Sequence, residues 1–460
     1  MSLRHIALYA LVSGLSIYAW KDWFKSLCGL ILLMAVIEHE DMPKSMLGIQ
    51  GLNMWNILFA VIFLAWLANR RRQGHNWDMP RHINILLLLY MLVILAGVLR
   101  AAFDRSYIEG YPLKSLLSEE FINTIKWALP GILLFDGCKS RNQVIMAFVC
   151  ILLLYLIVAV QVARFMPPAA VVSSAGVMDT LRIRLGKYIG YSACDISAML
   201  AGASWAIIAS ISMVRQKKYK VIVLIAAGIV TYGQALTGGR AGYVAWAATG
   251  LILCILKWRK YLLLAPVLVI LLPIVFPGAV DRFFTGFGET DITGQNITNE
   301  NMITSDRIEM WPYVIKKIGQ SPLIGYGRLS MKRTGLANHL LQINPYWIFP
   351  HPHNVYLETL LDNGILGSLP IFVFWGIILV YSGKLFKNSN RLCSALGGAT
   401  LALLLAQIFA GIGAQHYYPR ISTLGLWAMT FLFIRVYLEH KQTQIQSINA
   451  TNTQYEHFLQ

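Results

Sequence analysis

Apolar residues in this chain come in long unbroken blocks, not in the alternating or amphipathic stripes of a soluble domain. From Leu52 onward eleven blocks follow one another, at approximately 52–68, 84–99, 124–136, 143–164, 193–213, 219–237, 242–257, 261–279, 363–381, 392–413 and 421–437. A helix needs about 20 apolar residues to cross a bilayer, with about 17 as a working minimum. Each block therefore predicts a transmembrane helix, the shorter ones borrowing flanking residues. Ahead of them, residues 6–20 and 23–37 are two short apolar runs split by Lys21, Asp22 and Lys25. They read as two short spans, or as one span plus an interfacial piece, giving 12 or 13 transmembrane helices in total. The expected fold is an all-α polytopic membrane domain over residues 1–437. The tail at 438–460 is polar, rich in Gln, Asn and Thr, and is expected to be disordered and cytoplasmic.

Composition agrees with lipid as the main solvent. The 460 residues are 57% hydrophobic and 13% charged, against about 25% charged in soluble domains. The first apolar run has no small-residue cleavage site and is followed by many others, so no removable signal peptide is expected. A net charge of +17 would suggest nucleic acid in a soluble protein. Here the basic residues cluster in short connections: Arg70-Arg71-Arg72, Lys139/Arg141, Arg215/Lys217/Lys218/Lys220, Lys257/Arg259/Lys260 and Lys384/Lys387/Arg391. These are alternate connections, so all can be cytoplasmic together, as the positive-inside bias asks. They also suit the anionic headgroups of membrane lipids, and nucleic acid is not an expected partner. Cys28, Cys138, Cys150, Cys194, Cys254 and Cys393 are scattered without a CxxC pair, which fits small buried hydrophobes better than a zinc site or disulfide framework. No repeat of 20–50 residues is visible, so solenoids fall away.

This sidedness places residues 100–123, 165–192, 280–354 and the AQHYYPR turn at 414–420 on the outer side, with a tight turn near 238–241 and the segment before Leu52. At about 75 residues, the 280–354 loop exceeds ordinary connections and is expected to carry function or helices of its own. Within it, SDRIEMWPYVIKKIG predicts a helix, because Ile308, Trp311, Val314, Ile315 and Ile318 recur every three or four residues. Asp306 and Glu309 near its start and Lys316 and Lys317 near its end suit the helix dipole. PLIGYG then supplies turn chemistry through Pro322, Gly325 and Gly327.

Candidate chemistry gathers on that outer side. Arg182 and Arg184 sit in LRIRLGKYIGYSA, Arg240 in LTGGRAGY, and His351 and His353 in HPHN at the mouth of an apolar helix. Arginine suits phosphate or diphosphate, since its planar fork donates two parallel hydrogen bonds and keeps its charge. Gly238, Gly239 and Gly242 would let a large headgroup approach the backbone near Arg240. Equally, Arg240 can snorkel to lipid phosphates, and an amphipathic loop segment explains Arg182 and Arg184. An ionisable residue at such a junction is costly unless it faces water, a partner or a substrate, and a neutral imidazole can accept a proton near pH 7. The plainer reading makes Asn354 a helix N-cap, with both histidines at the water interface. His351 and His353 have no suitable third ligand close by, so zinc is not expected.

Taken in order, GGRAGYVAW, the element from Arg307 to Trp311, PLIGYG and PHNVYLETLLDNGILG resemble the O-antigen ligase and O-antigen polymerase superfamily of multi-span membrane enzymes. RLGKYIGYSACDISAMLA is similar to the family's upstream arginine-bearing segment, so the resemblance covers roughly residues 180 to 380. It implies a GT-C-like fold and a metal-independent, cofactor-free, inverting glycosyl transfer on the periplasmic face of a bacterial inner membrane. The implied donor is undecaprenyl-diphosphate-linked glycan. The implied acceptor is lipid A-core for a ligase, or a second lipid-linked repeat for a Wzy-type polymerase of O-antigen or exopolysaccharide; the ligase is the preferred reading. By position, Arg184 and Arg240 match the arginines that hold the diphosphate, and His353 matches the base. Arg182, Arg307, His351 and Asn354 are supporting candidates. The turn reads GGRAG where family members often have Ser-Arg-Gly, so the neighbours of Arg240 differ. Two rivals remain at this point. Glu38, Glu40 and Asp41 in EHEDMP could hold a divalent cation for another glycosyltransferase class. A lipid-linked sugar transporter would want polar residues deep in its spans and broken helices, and the largely apolar span centres argue against it.

Overall fold

A computed structural model of the chain describes residues 3–40, 42–46, 49–74, 77–167, 175–284, 289–290, 296–297, 307–413 and 417–459. Every apolar block from Leu52 onward lies in helix. Among the described residues seven helices are long and apolar enough to cross a bilayer: Arg81–Phe103, Arg141–Phe165, Ala193–Met213, Lys217–Leu236, Val355–Phe386, Arg391–Ala410 and Ile421–Gln446. Trp23–Leu33 and Arg240–Leu256 are apolar but shorter. The chain is thus an all-α polytopic membrane protein, and a count of 12 or 13 goes beyond the seven that length and hydropathy establish.

The two ends of the bundle differ chemically. Arg70 pairs with Asp136 at 2.7 Å, Arg435 with Asp78 at 2.6 Å, and Lys257 donates to the Phe386 carbonyl at 2.6 Å. These contacts gather the basic connections at one end. At the other, Gln161 donates to the Ala35 carbonyl at 2.6 Å and Tyr191 to the Met34 carbonyl at 2.7 Å. Between the ends, Ala193–Ser210 packs against Arg391–Ala410 at close range. A Cβ added to Gly202 would lie 2.9 Å from Leu403 Cα, the approach that small residues permit where lipid gives helices no hydrophobic drive to associate. An aromatic cluster of Tyr90, Phe374, Trp375 and Trp427 fills the neighbouring core.

Helix Val355–Phe386 is broken at Gly364, whose φ of 60° and ψ of −169° leave the helical region. The PLIGYG segment, expected only as a turn, fills that break. Ile365 N donates to Pro322 O at 2.8 Å, Leu366 N to Leu323 O at 3.0 Å, Tyr326 N to Leu361 O at 2.8 Å and Gly327 N to Asp362 O at 2.6 Å. The amides freed by the break are satisfied by protein, the condition under which irregular backbone survives near lipid. Asp362 beside it is buried and accepts from Ser330 Oγ at 2.6 Å, Tyr418 Oη at 3.1 Å and Arg328 Nη1 at 3.3 Å. Arg328 also pairs with Glu120 and lies 3.8 Å from the centre of the Tyr418 ring. Glu358, Asp362 and Asn363 are buried in the part of this helix that precedes or opens the apolar block read at 363–381.

In the large outer loop the expected helix runs Arg307–Gln320. Its buried face is Met310 and Val314, while Ile308 and Ile315 stay exposed, because the loop builds a small core of its own with Met331, Leu336, Leu340, Trp347 and Leu361. Asp306 lies outside the described residues. The last helix runs Leu424–Leu459, so the tail after 437 continues as helix instead of ending in disorder. No Gly or Pro occurs between 438 and 460, and nothing there stops the helix.

Candidate active site

The site candidates lie at the end of the bundle away from the basic connections, where several helices begin. Arg240 is the first residue of Arg240–Leu256, with Gly239 as its N-cap. The glycines of this turn serve packing. A Cβ on Gly239 would fall 2.5 Å from Ser197 Cβ, and one on Gly242 would fall 2.0 Å from Ser197 Oγ. Ser197 Oγ donates to the Gly239 carbonyl at 3.2 Å. The turn is thus pressed onto the Ala193–Ser210 helix, which replaces the expectation that these glycines admit a headgroup. Gly238 alone takes a left-handed φ, of 63°.

Three segments distant in sequence meet at residues 411–413. Arg307 Nη1 donates to the Gly413 carbonyl at 3.1 Å, and Ala241 packs against Gly413 so closely that an added Cβ would sit 3.3 Å from the alanine methyl. Val355 N donates to the Gly411 carbonyl at 2.8 Å. Arg307 and Trp311, one turn apart on the same helix face, both look this way: Trp311 Nε1 donates to the Pro352 carbonyl at 3.0 Å. That bond fixes the residue next to His353.

His353 has a φ of 49°, one of three non-glycine residues with positive φ among those described. This conformation costs a residue with a Cβ about 1–2 kcal/mol, so the surrounding contacts must hold it. The His353 amide donates to His351 Nδ1 at 3.3 Å, and the two rings approach to 3.9 Å between centroids. The Phe349 ring meets His353 edge-on at 5.8 Å. Asn354 is the N-cap of Val355–Phe386, its Oδ1 accepting from Tyr356 N at 3.0 Å and Leu357 N at 3.1 Å.

Arg182 and Arg184 lie on helix Ala175–Ile189 and, two residues apart, point to opposite sides of it. Arg182 is half-buried and its Nη2 donates to Cys194 Sγ at 3.4 Å, whereas Arg184 is exposed. Burial holds the Arg307 guanidinium below the ordinary arginine range; Cys194 opposes this and the neighbouring Arg182 charge adds to it. Arg182 and Arg282 also lie within electrostatic reach of the Tyr243 hydroxyl. Arg282 comes from the short helix Pro277–Phe284, which packs on both Ala175–Ile189 and Arg240–Leu256. The structure therefore brings together Arg182, Arg282, Arg307 and the start of the Arg240 helix, and leaves Arg184 on the outside of its own helix. The Gly411–Gly413 meeting point was read only as the end of the apolar block 392–413, and Arg282 carried no signal beyond lying in the outer loop. Arg420, 4.0 Å from Asp195, lies in the AQHYYPR turn already placed on this side.

The helix starts at Ala193, Arg240, Arg307 and Val355 add positive dipole ends to these arginines, which together favour an anion. Residues 221–372 match the O-antigen ligase family model. The chain thus carries a domain of the O-antigen ligase and polymerase superfamily. No curated protein matches it. The O-antigen ligase domain takes in Arg240, Arg282, Arg307, the PLIGYG segment and His353, while Arg182 and Arg184 precede it. Of the residues considered for a cation, Glu40 pairs with Lys187 at 3.6 Å and Asp41 lies outside the described residues.

Proposed function

We propose that the protein is a glycosyltransferase of the O-antigen ligase type, moving glycan from a lipid-linked diphosphate to an acceptor hydroxyl at the arginine-bearing end of the bundle. The observation that carries this reading is the convergence of Arg307, the Arg240 turn and the His353 loop on residues 411–413. The match to an O-antigen ligase domain supports it. The clustering of basic connections at the opposite end supports a site on the non-cytoplasmic side, which we take to be the periplasmic face of a bacterial inner membrane.

In the proposed reaction His353 takes the proton of the acceptor hydroxyl as its oxygen bonds to the anomeric carbon of the donor. The bond from that carbon to the diphosphate breaks, and the electron pair leaves with the diphosphate. Attack opposite the leaving group inverts the anomeric centre. Arg182, Arg240 and Arg307 offset the charge that develops on the departing oxygen, with no need of a metal ion. His351 and Asn354 position His353, through the ring contact and the helix cap, while exposed Arg184 contributes charge without touching the diphosphate. Undecaprenyl diphosphate is the proposed carrier and lipid A-core the proposed acceptor.

The glycan profile of a deletion strain tests this. Loss of all long chains from lipid A-core, with lipid-linked polymer accumulating, is the expected result. A single repeat capping the core, or loss of a secreted polysaccharide, would replace the ligase with a polymerase. Unchanged surface and secreted glycans would overturn the enzyme.

A further inference from the structure

A second cavity, of about 860 Å³, opens at the same end of the bundle and is lined by residues other than the arginines. It lies against the starts of helices Met54–Gln73 and Asn123–Gly137, the π-helix Leu116–Ile122 and the segment around Glu38. Single-turn π segments inside helical stretches concentrate at functional sites. Trp55 and Trp127 pack against one another at 4.8 Å between centroids. Lys126 Nζ sits 4.0 Å from the Trp127 ring centre and 5.3 Å from that of Trp55, and donates to Asn56 Oδ1 at 3.1 Å. Trp55 is 1% exposed, and its Nε1 has no hydrogen-bond partner among the described residues. Lys44, Lys114, Glu38 and Glu119 supply the other charged groups of the lining.

This combination selects among ligand classes. Three lysines offset by two carboxylates, with no arginine, leave a wall of mixed charge and not the cationic cradle of a phosphate site, and an acyl-chain groove would need none of these groups. Aromatic faces for C–H surfaces, with hydroxyl-matching donors and acceptors around them, suit a saccharide.

The walls of the cavity lead to the site already described. The Glu38 carbonyl packs on Gly190, where an added Cβ would lie 2.0 Å from that oxygen and where φ is 86°. Gly190 directly follows the helix that carries Arg182. On the other side Glu120 of the π-helix pairs with Arg328, and Arg328 with Asp362 on the helix that begins one residue after Asn354. We propose that this cavity binds the saccharide of the acceptor substrate, an assignment that rests on the glycosyltransferase reading above and supplies the subsite that reading lacks.

The test uses the full-length protein in lipid nanodiscs, with delipidated core oligosaccharide from the encoding bacterium as probe. Tryptophan fluorescence reads binding, and initial rates at varied donor and acceptor read transfer. Trp127→Ala and Lys126→Met are expected to weaken oligosaccharide binding about tenfold and to raise KM for acceptor by a similar factor. Binding of undecaprenyl diphosphate should stay within about twofold of wild type. Trp127→Phe, which keeps the aromatic face, should restore binding and guards against misfolding of the alanine variant. Oligosaccharide binding unchanged in Trp127→Ala and Lys126→Met would overturn the site while leaving the enzyme reading intact. Fluorescence changes produced equally by phosphatidylethanolamine and phosphatidylglycerol, without oligosaccharide, would overturn it in favour of a lipid headgroup. Oligosaccharide binding that the variants abolish, in a wild-type protein that transfers nothing from any lipid diphosphate, would uphold the saccharide site and remove the glycosyltransferase reading.

Discussion

The left-handed backbone of His353 allows chemistry and stability to be separated at one position. At φ 49° a residue with a Cβ bears about 1–2 kcal/mol of local strain, and glycine bears essentially none. Glycine gives back about 0.5–1 kcal/mol through the greater freedom of its unfolded chain. Loss of the His351 and Phe349 ring contacts removes about 0.5–1.5 kcal/mol more from either substitution. His353→Gly should therefore fold within about 1 kcal/mol of wild type. His353→Ala, which loses the same contacts and keeps the strain, should be the less stable of the two, reversing the usual order of alanine and glycine. Both should lose transfer by about 10²–10⁴, the range for removing a general base.

Thermal inactivation at one scan rate, in one detergent, measures the first effect, because only relative kinetic stability is meaningful for a protein that unfolds irreversibly. Initial rates with lipid-linked donor measure the second, and added imidazole should recover part of the activity of His353→Gly. An alanine variant more stable than the glycine variant would refute the strain argument. Transfer by either variant within about tenfold of wild type would remove His353 from proton transfer.

Further outcomes follow from the arginines and the buried network. Arg182→Lys should raise KM for donor by about 10- to 100-fold, because lysine cannot supply the paired hydrogen bonds, while Arg184→Lys should leave it within about threefold; equal effects would reject the inward assignment of Arg182. Arg328→Met should destabilise the protein by about 3–5 kcal/mol, since Glu120 and Asp362 lose their shared cation inside the fold. The double variant Arg328→Met/Glu120→Gln should recover part of that loss, and an Arg328→Met protein as stable as wild type would show that the network is not stabilising. EDTA should leave transfer by the purified protein unchanged, and strong inhibition reversed by Mg²⁺ or Mn²⁺ would overturn the metal-free mechanism.

Most helices were legible because lipid leaves no alternative: a spanning segment must satisfy its own backbone and present apolar side chains, which writes long apolar blocks into the chain. The limits were less legible. The block read at 363–381 is the later part of a helix that starts at Val355, since Glu358, Asp362 and Asn363 interrupt the apolar run, and Asp362 and Asn363 find partners in a loop some thirty residues earlier and at Tyr418. Composition misread the tail, where a polar sequence without Gly or Pro carries on as helix. In the candidate site, residue type singled out segments, but facing did not follow from it. Arg182 and Arg184 are equivalent in a string of letters and lie on opposite sides once the segment is helical. The glycines around Arg240 were read as access for a ligand because Ser197, against which they pack, is about forty residues away in sequence.

The outer loop, not the arginine turn, sets where the imidazole sits. One side of that loop holds Pro352 through Trp311, and the other holds the broken helix through Tyr326 and Gly327. Both anchors act on the Val355–Phe386 helix within three turns of His353. Arg240, in contrast, is fixed by Ser197 and the close-packed Ala193–Ser210 helix, and Arg307 is tied to the Gly413 carbonyl. Of the arginines proposed to bind diphosphate, Arg240 is thus built into the bundle, whereas Arg307 shares the loop helix with Trp311, which holds the residue next to the proposed proton acceptor. A transferase that keeps one kind of donor and changes its acceptor can alter the loop beyond this helix without disturbing the packing that holds Arg240. In the proposed mechanism backbone strain at 353 then has a use: the loop contacts specify one imidazole position, and relaxing it would let the proposed proton acceptor move away from the bond that forms.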